Sequence, residues 1–187
     1  MASPIQPPLP DLSTLSLAEI AQLAADHRLP PVERWNPAHC GHSGMRIAAD
    51  GRWWHEGAPI NRDAMVRLFS TVLRREEDGR HVLVTPAEKL DIDVEDLPFV
   101  ATAVSSEGEG PARRLAFSTN IGDLVVAGPD HPVGIKGGRP AVLVRRGLWA
   151  RLARPVFYEL ADWALGEGAE PLGIWSDGAF FPLSEDA

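Results

Sequence analysis

Three histidines and the single cysteine of the chain lie close together in the first third of the sequence. His39, Cys40 and His42 are near neighbours, and His55 follows shortly after them. Imidazole and thiolate groups are preferred zinc ligands, and a Cys–His pair can also supply an activated nucleophile. The spacing matches no familiar zinc finger or ribbon, and histidines and a buried cysteine near aromatic residues are more often structural. A metal-assisted enzyme is therefore an alternative, and we do not assign a metal or cofactor from this cluster.

Arginines are concentrated in the segment that leads to the last predicted helix, although the chain as a whole is acidic. Guanidinium groups bind phosphate and carboxylate in a bidentate manner, and a helix N-terminus also attracts anions. The sequence therefore predicts an anion-binding pocket, whereas the structural alternative is that these side chains pair with surface carboxylates. The arginines concerned are Arg139, Arg145, Arg146, Arg151 and Arg154.

Two further motifs admit both a chemical and a structural interpretation. Thr85–Glu88 has the form of a capping box with Pro86 in the first turn, which predicts a helix start. The acidic residues Asp91, Asp93 and Glu95 alternate with apolar residues, which is typical of a half-exposed strand. Carboxylates on one strand face can also hold a cation, but the strand interpretation is the simpler one.

The elements that would position these residues begin with an N-terminal segment. Met1–Pro10 is rich in proline and predicts a surface tail, and Ser16 with Glu19 forms a capping box for a helix that must end before Pro30. We interpret the following residues, up to Gly44, as a connecting loop.

One continuous α+β pattern runs from Met45 to Phe99. Asp50-Gly51 predicts a hairpin turn. Asn61 is a candidate cap for a helix that we expect to continue until Asp78-Gly79, before a strand at 82–84. Further strands are expected at 100–105, 115–118, 124–127 and 141–144, with a loop at 128–140, and a last helix starting near Pro155.

Composition narrows the class of protein. The 187 residues are 44% hydrophobic and 24% charged, values of an ordinary globular protein. A net charge of −8 argues against a general nucleic-acid binder. The single cysteine, the lack of a long apolar stretch and the lack of a leader pattern predict a soluble, cytoplasmic protein without a membrane partner.

A possible internal repeat divides the chain. Residues 47–54 and 174–181 share an order of Ile, two residues, Asp-Gly, one residue and two aromatics. We expect an N-terminal tail and helix at 1–34, a first α+β half at 35–105 and a second at 106–187. Chance recurrence of Asp-Gly hairpins remains the alternative.

A series of short motifs follows in order along the chain: Cys40-Gly41, Met45–Ile47, Asp50–Trp53, Pro59-Ile60, Leu68–Ser70, Leu83–Pro86, Glu88-Lys89, Val94–Asp96, Pro98-Phe99, Phe117, Thr119-Asn120, Gly122-Asp123 and Val156–Leu160. In these motifs the chain resembles the uncharacterised bacterial domain-of-unknown-function family twelve-eighty-five, and the resemblance covers most of the chain from about Trp35 onward. The resemblance implies a duplicated α+β architecture whose C-terminal half is similar to pleckstrin-homology-like folds, and a ligand site between the halves, for a nucleotide-like molecule in signal transduction. The family pattern has acidic residues after Cys40-Gly41, where this chain has His42, Ser43 and Gly44.

Together these observations predict an α+β protein of two related halves that binds a ligand or regulates a partner and is not an enzyme. We expect an anionic, nucleotide-like ligand between the halves, with arginines meeting its charge, polar side chains its edge and an aromatic ring its base. A protein-interaction module with exposed tryptophans is a further alternative. The expected ligand-binding residues are Trp53, Asn120, Asp123, Arg145, Arg146, Arg151, Arg154 and Tyr158.

Overall fold

The computed structural model describes residues 29–184, and the expected N-terminal tail and first helix lie outside this range. Within it the chain forms fourteen strands, two α-helices and two short 3₁₀ turns. The helices are α1 (Asp63–Thr71) and α2 (Arg154–Glu167). The strands are β1 (His39–Ile47), β2 (Trp53–His55), β3 (Ala58–Pro59), β4 (Leu73–Arg75), β5 (His81–Val84), β6 (Glu88–Val94), β7 (Phe99–Glu107), β8 (Arg114–Thr119), β9 (Leu124–Val126), β10 (Val133–Lys136), β11 (Arg139–Arg145), β12 (Leu148–Leu152), β13 (Gly173–Ser176) and β14 (Ala179–Pro182).

Two six-stranded sheets share one topology. The first has the order β3-β2-β1-β6-β5-β4, and the second has the order β10-β11-β12-β7-β8-β9. In each sheet the first and last strands of the unit pair in parallel at the centre, while the other neighbours are antiparallel. Each unit therefore consists of two three-stranded meanders, which are joined by the parallel pairing of the first and last strands of the unit. The chain has two related domains.

The expectation of an α+β fold, with a pleckstrin-homology-like second half, is wrong because the chain is mostly β. Much of the sequence interpreted as helix or loop is strand. Residues 39–44 belong to β1, residues 133–136 form β10, and α1 ends at Thr71 so that Leu73–Arg75 forms β4. The helix that was expected to continue until Asp78-Gly79 therefore ends early, and Leu73 is a buried residue of β4 that pairs with Leu83.

The capping-box motif shows why local patterns misled the prediction. The Thr85 hydroxyl accepts hydrogen bonds from the amides of Ala87 and Glu88, as a helix cap would. The chain nevertheless continues as β6, because the following residues alternate in polarity and pair with both β1 and β5. The half-exposed strand expected for the acidic run is confirmed, and the helix expected after Thr85 is wrong.

The helices differ in how well they were predicted. Helix α2 begins at Arg154 with Pro155 in its first turn and ends at Gly168, whose φ of 64° is left-handed, which confirms the last helix. Helix α1 begins after Arg62, with no side-chain cap, so Asn61 does not have its expected capping role. Helix α2 packs against β7 and β13.

One hydrophobic core joins the two sheets. It contains Ile47, Trp53 and Leu73 of the first unit together with Phe99 and Phe117 of the second. The strand β7, which the sequence placed with the first half, pairs with β8 and β12 of the second sheet. The chain passes from one sheet to the other through residues 95–98. The two units are thus held together by shared apolar packing.

The two Asp-Gly motifs of the possible repeat both form turns, but they are not equivalent in the fold. Asp50-Gly51 joins β1 to β2 inside the first sheet, whereas Asp177-Gly178 joins β13 to β14, a separate two-stranded sheet. The repeat that the topology supports relates β1–β6 to β7–β12.

Candidate functional site

The eight residues expected to bind a ligand do not share one site. Trp53 and Asn120 line one cavity, Asp123 and Arg145 line a second, and Arg146 lines a third. The remaining three, Arg151, Arg154 and Tyr158, line none of these. The role of these eight residues in ligand binding stays a prediction, and several of them have partners within the protein.

Arg151 is a buried clamp. Its side chain is 8% exposed, and its guanidinium makes a bidentate pair with Asp96, with Nε–Oδ2 and Nη2–Oδ1 distances of 2.8 and 2.6 Å. Its Nη1 also donates to the carbonyls of Lys136 and Arg139. Hydrogen bonding from Arg151 holds the pKa of Asp96 below its usual value. Asp96 lies in the segment that connects the two sheets, and Arg151 lies on β12. The ion pair therefore attaches this connecting segment to the second sheet.

The guanidinium of Arg145 also makes its contacts within the protein. It pairs with Asp123, donates from Nη2 to the Ser70 carbonyl at 3.0 Å, and lies 5.0 Å from the ring centroid of Phe99. Burial, and then the charge of Arg146, lower the pKa of Arg145 to about 10, so the guanidinium stays charged at neutral pH. The cavity beside it holds about 200 Å³ and is largely apolar. Arg145 therefore links the second sheet to the end of α1.

Arg146 faces a larger cleft between the halves. Its Nε pairs with Glu33, and its Nη1 donates to the carbonyl of Pro30 at 3.0 Å. The cleft has a volume of about 500 Å³. It is walled by the segment before β1, by β4 with its following turn, and by the turn between β11 and β12. The residues that line it are Glu33, Asn36, Arg74, Arg75, Glu76, Glu77, Asp78 and Arg146.

The backbone at Arg146 is unusual. Its φ of 47° is left-handed, and it stands in a two-residue turn with Gly147, whose φ is 74°. Such turns favour Asn, Asp or Gly at the first position, and a bulkier side chain there costs about 1 kcal/mol. A left-handed arginine at a cleft is the kind of outlier from which a functional hypothesis can start.

The two arginines of β4 have different surroundings. Arg74 is 11% exposed in its side chain; it pairs with Glu76 and donates to the carbonyls of Val32 and Trp35. Arg75 is exposed and makes no ion pair or hydrogen bond with a described residue. Its Cδ lies 4.0 Å from the point where a Cβ on Gly147 would stand, so it reaches toward the second unit.

Sequence reasoning missed this charged wall. The run Arg74–Asp78 was visible as consecutive charges, but it was interpreted as the end of a long helix. The helix ends at Thr71, and Arg74–Asp78 instead form the end of β4 and the turn after it, which together line the cleft.

Trp53 and Asn120 lie near each other but are occupied within the fold. Trp53 is 1% exposed and stacks on Phe69 at 6.4 Å, so its ring is not open to a ligand. Asn120 accepts from the Val100 amide at 2.9 Å and donates to the Gly51 carbonyl at 3.1 Å, which bridges the units. The cavity that both residues line, beside the start of α1, has a volume of about 310 Å³.

Arg154 and Tyr158 lie on the exposed side of α2. Tyr158 is 57% exposed and contacts Phe157 at a ring distance of 6.0 Å. Neither residue lines the cleft that contains Arg75 and Arg146.

The histidine and cysteine cluster does not converge. Across residues 29–184, no three His, Cys, Asp or Glu side chains come together as a metal site would require. Cys40 is exposed, and the Nδ1 of His42 accepts from the amide of Gly44 at 2.9 Å. The same side chain approaches Asp93 at 3.6 Å through Nε2. These contacts explain the position of the His42 side chain on the exposed face of β1.

Nearby, His81 is partly buried. Burial, and then the charge of Arg75, lower the pKa of His81 to about 4. The imidazole is therefore neutral at physiological pH.

In the described range, neither helix has the length and apolar character that crossing a membrane would demand.

The fold and the cleft define a class, a two-domain, mostly β protein with a polar cleft between its domains. The model of "Domain of unknown function (DUF1285), N-terminal domain" matches residues 30–97, and that of "Protein of unknown function (DUF1285), C-terminal domain" matches residues 98–183. The chain therefore belongs to the DUF1285 family, which confirms the resemblance seen in the sequence.

Two solved structures of DUF1285 family proteins are similar. The one from Silicibacter pomeroyi DSS-3 is 42% identical, with a TM-score of 0.75 over 88% of this chain and 94% of that chain. The one from Shewanella baltica OS155 is 26% identical, with a TM-score of 0.52 over 64% of this chain and 91% of that chain. No curated protein matches the chain.

Proposed function

We propose that this protein is a non-catalytic, ligand-binding regulatory protein of the bacterial cytoplasm, and that its ligand occupies the cleft lined by Arg75 and Arg146. The observation that carries the proposal is an exposed arginine without an ion-pair partner among the described residues, in a charged cleft to which both units contribute. A volume of about 500 Å³ lies within the range of small-molecule pockets.

The charges of the cleft define the ligand class. Arg75 and Arg146 offer guanidinium donors to a phosphate or carboxylate, and binding of such a group would compete with the Glu33 partner of Arg146. Glu77 and Asp78 provide acceptors on the same wall. A ligand that carries both an anionic group and hydrogen-bond donors satisfies both sets, and a nucleotide has this combination.

A regulatory role follows from the position of the cleft. A ligand that contacts β4 and the β11–β12 turn at once would strengthen the attachment of one unit to the other, because it favours the arrangement that brings both walls together. Such a ligand can alter the surface offered to a partner in a signalling pathway without any chemical step.

The first experiment is a thermal-shift screen of the full chain with nucleotides, cyclic dinucleotides and pyrophosphate, followed by calorimetry on any hit. A ligand at about 100 times its dissociation constant stabilises a protein by about 2.7 kcal/mol, which is a shift of several degrees for a chain of this size. Absence of a shift with every probe would count against the proposal. A loss of stability on adding a chelator would instead indicate a bound metal ion and favour the metal-assisted alternative.

Three variants locate the site. Arg75→Ala should weaken binding of a nucleotide hit about 5- to 150-fold, the effect of losing one charge-assisted hydrogen bond of about 1–3 kcal/mol. Arg114→Ala removes an exposed arginine from β8 and is the matched control. Arg154→Ala tests the anion pocket expected from the sequence, because Arg154 does not line the cleft. Equal affinities of the Arg75 and Arg114 variants would exclude the cleft as the binding site.

A further inference from the structure

Residues 29–36 cross from the second unit to the first at the edge of the charged cleft. Leu29 lines the cavity of about 200 Å³ whose other walls all belong to the second unit. Three residues later, Val32 is fully buried in the first unit, where it packs with Val82 and Val84 of β5. Residues 29–36 are therefore a strap that spans the two units.

The strap is firmly attached to the first unit. The Nη1 of Arg74 donates to the carbonyls of Val32 and Trp35 at 2.7 and 2.8 Å, and the guanidinium side chain is only 11% exposed. Lifting the strap from this unit would expose the Val32 side chain and remove the acceptors of a largely buried charge. This end of the strap therefore stays in place when the cleft changes.

The polar contacts of the strap with the second unit are made by Arg146 and are more accessible. The Nε of Arg146 pairs with the Glu33 carboxylate, and its Nη1 donates to the Pro30 carbonyl at 3.0 Å. The side chains of Arg146 and Glu33 are 32% and 51% exposed. An ion pair with this exposure contributes little to stability, and another anion can reach the guanidinium and replace the carboxylate.

We propose that the strap is a built-in competitor for the ligand of the cleft, because the Glu33 carboxylate occupies the guanidinium of Arg146 that an anionic ligand would bind. This inference rests on the proposed function and adds how the same site is regulated. An anion that binds Arg146 releases Glu33, so the strap loses its polar tie to the second unit while Arg74 and Val32 keep it on the first. The chain before Val32 is then free to leave the second unit, and occupation of the cleft is converted into a change at the surface.

A built-in competitor lowers the apparent affinity of the cleft. An anion reaches the guanidinium only in molecules whose pair between Glu33 and Arg146 is open, and its affinity is reduced by that fraction. Glu77 provides a matched comparison, because it is exposed, lines the same cleft and has no ion-pair partner among residues 29–184. Glu33→Gln and Glu77→Gln each remove one negative charge from the cleft, but only Glu33→Gln breaks the pair.

Two measurements on the full chain test the proposal, with pyrophosphate as the anion. In calorimetry, Glu33→Gln should bind pyrophosphate about two- to fivefold more tightly than Glu77→Gln, the range expected for the loss of one partly exposed ion pair. Hydrogen exchange of the peptide that contains residues 29–36 should be faster in Glu33→Gln than in the wild type or Glu77→Gln without any anion, and pyrophosphate should accelerate it in the wild type. Exchange of β13 and β14, far from the strap in sequence, should be the same in all three chains.

The outcomes separate this inference from the proposed function. Equal affinities of the two variants, or exchange of residues 29–36 that is as slow in Glu33→Gln as in the wild type, would overturn the strap. Binding of pyrophosphate without faster exchange in the wild type would also overturn it and leave the proposed function standing. Faster exchange in Glu33→Gln, together with no binding of any probe to the three chains, would support the tie between the strap and the second unit and refute the proposed function.

Discussion

The ion pair between Asp96 and Arg151 provides the sharpest test of how the two units are joined. Asp96→Asn would leave the guanidinium of Arg151 buried without its carboxylate, since that side chain is only 8% exposed. Removing one partner of a buried pair costs about 3–5 kcal/mol, and we take the lower end because Asn can still accept one hydrogen bond. A loss of about 3 kcal/mol lowers the thermal midpoint of a chain of this size by about 6–12 °C.

Differential scanning calorimetry of three variants separates the causes. Asp93→Asn is the control, because the side chain of Asp93 is 72% exposed and its one ion-pair partner among residues 29–184 is His42, at 3.6 Å. The midpoint of this variant should match the wild type. The double variant Asp96→Asn/Arg151→Met should be more stable than Asp96→Asn alone, because it also removes the stranded charge. An Asp96→Asn midpoint equal to that of the control, or a double variant less stable than Asp96→Asn, would refute the reasoning.

Two further predictions concern stability. Because the pKa of His81 falls from 6.5 to about 4 on folding, the unfolded chain binds more protons between these values. The free energy of unfolding should therefore decrease as the pH falls from about 7 to 5, by about 1 kcal/mol after allowing for partial exposure of the imidazole. Urea unfolding should show this pH dependence in the wild type and not in His81→Asn. Gly51→Ala should cost more than Gly57→Ala in the same assay. Both glycines have a left-handed φ, worth about 1 kcal/mol, but a Cβ on Gly51 would also lie 2.6 Å from Asn120 Nδ2, whereas none meets Gly57 within 4 Å. Equal losses would show that the contact between the units at Asn120 is not tight.

The sequence alone determined several local features. Alternating polarity identified the half-exposed strand around Asp91, Pro155 marked the start of α2, and Asp50-Gly51 predicted a hairpin turn. The family resemblance was also visible in the sequence, and it implied two related units, whereas the Asp-Gly repeat did not mark them correctly. These features depend on residues that are close together in the chain, where turn chemistry and periodicity act directly.

The tertiary structure alone decided the sheet order and the location of the cleft. The parallel pairing of β1 with β6 joins residues far apart in sequence, so no local pattern reveals that His39–Gly44 is a strand. The arginines were visible, but their partners were not: Asp96 and Asp123 neutralise Arg151 and Arg145 through contacts that only the packed sheets create. Burial and ion pairing depend on which residues the folded chain brings near each side chain. The candidate site therefore centres on Arg75, because only the fold shows that this arginine is exposed in the cleft.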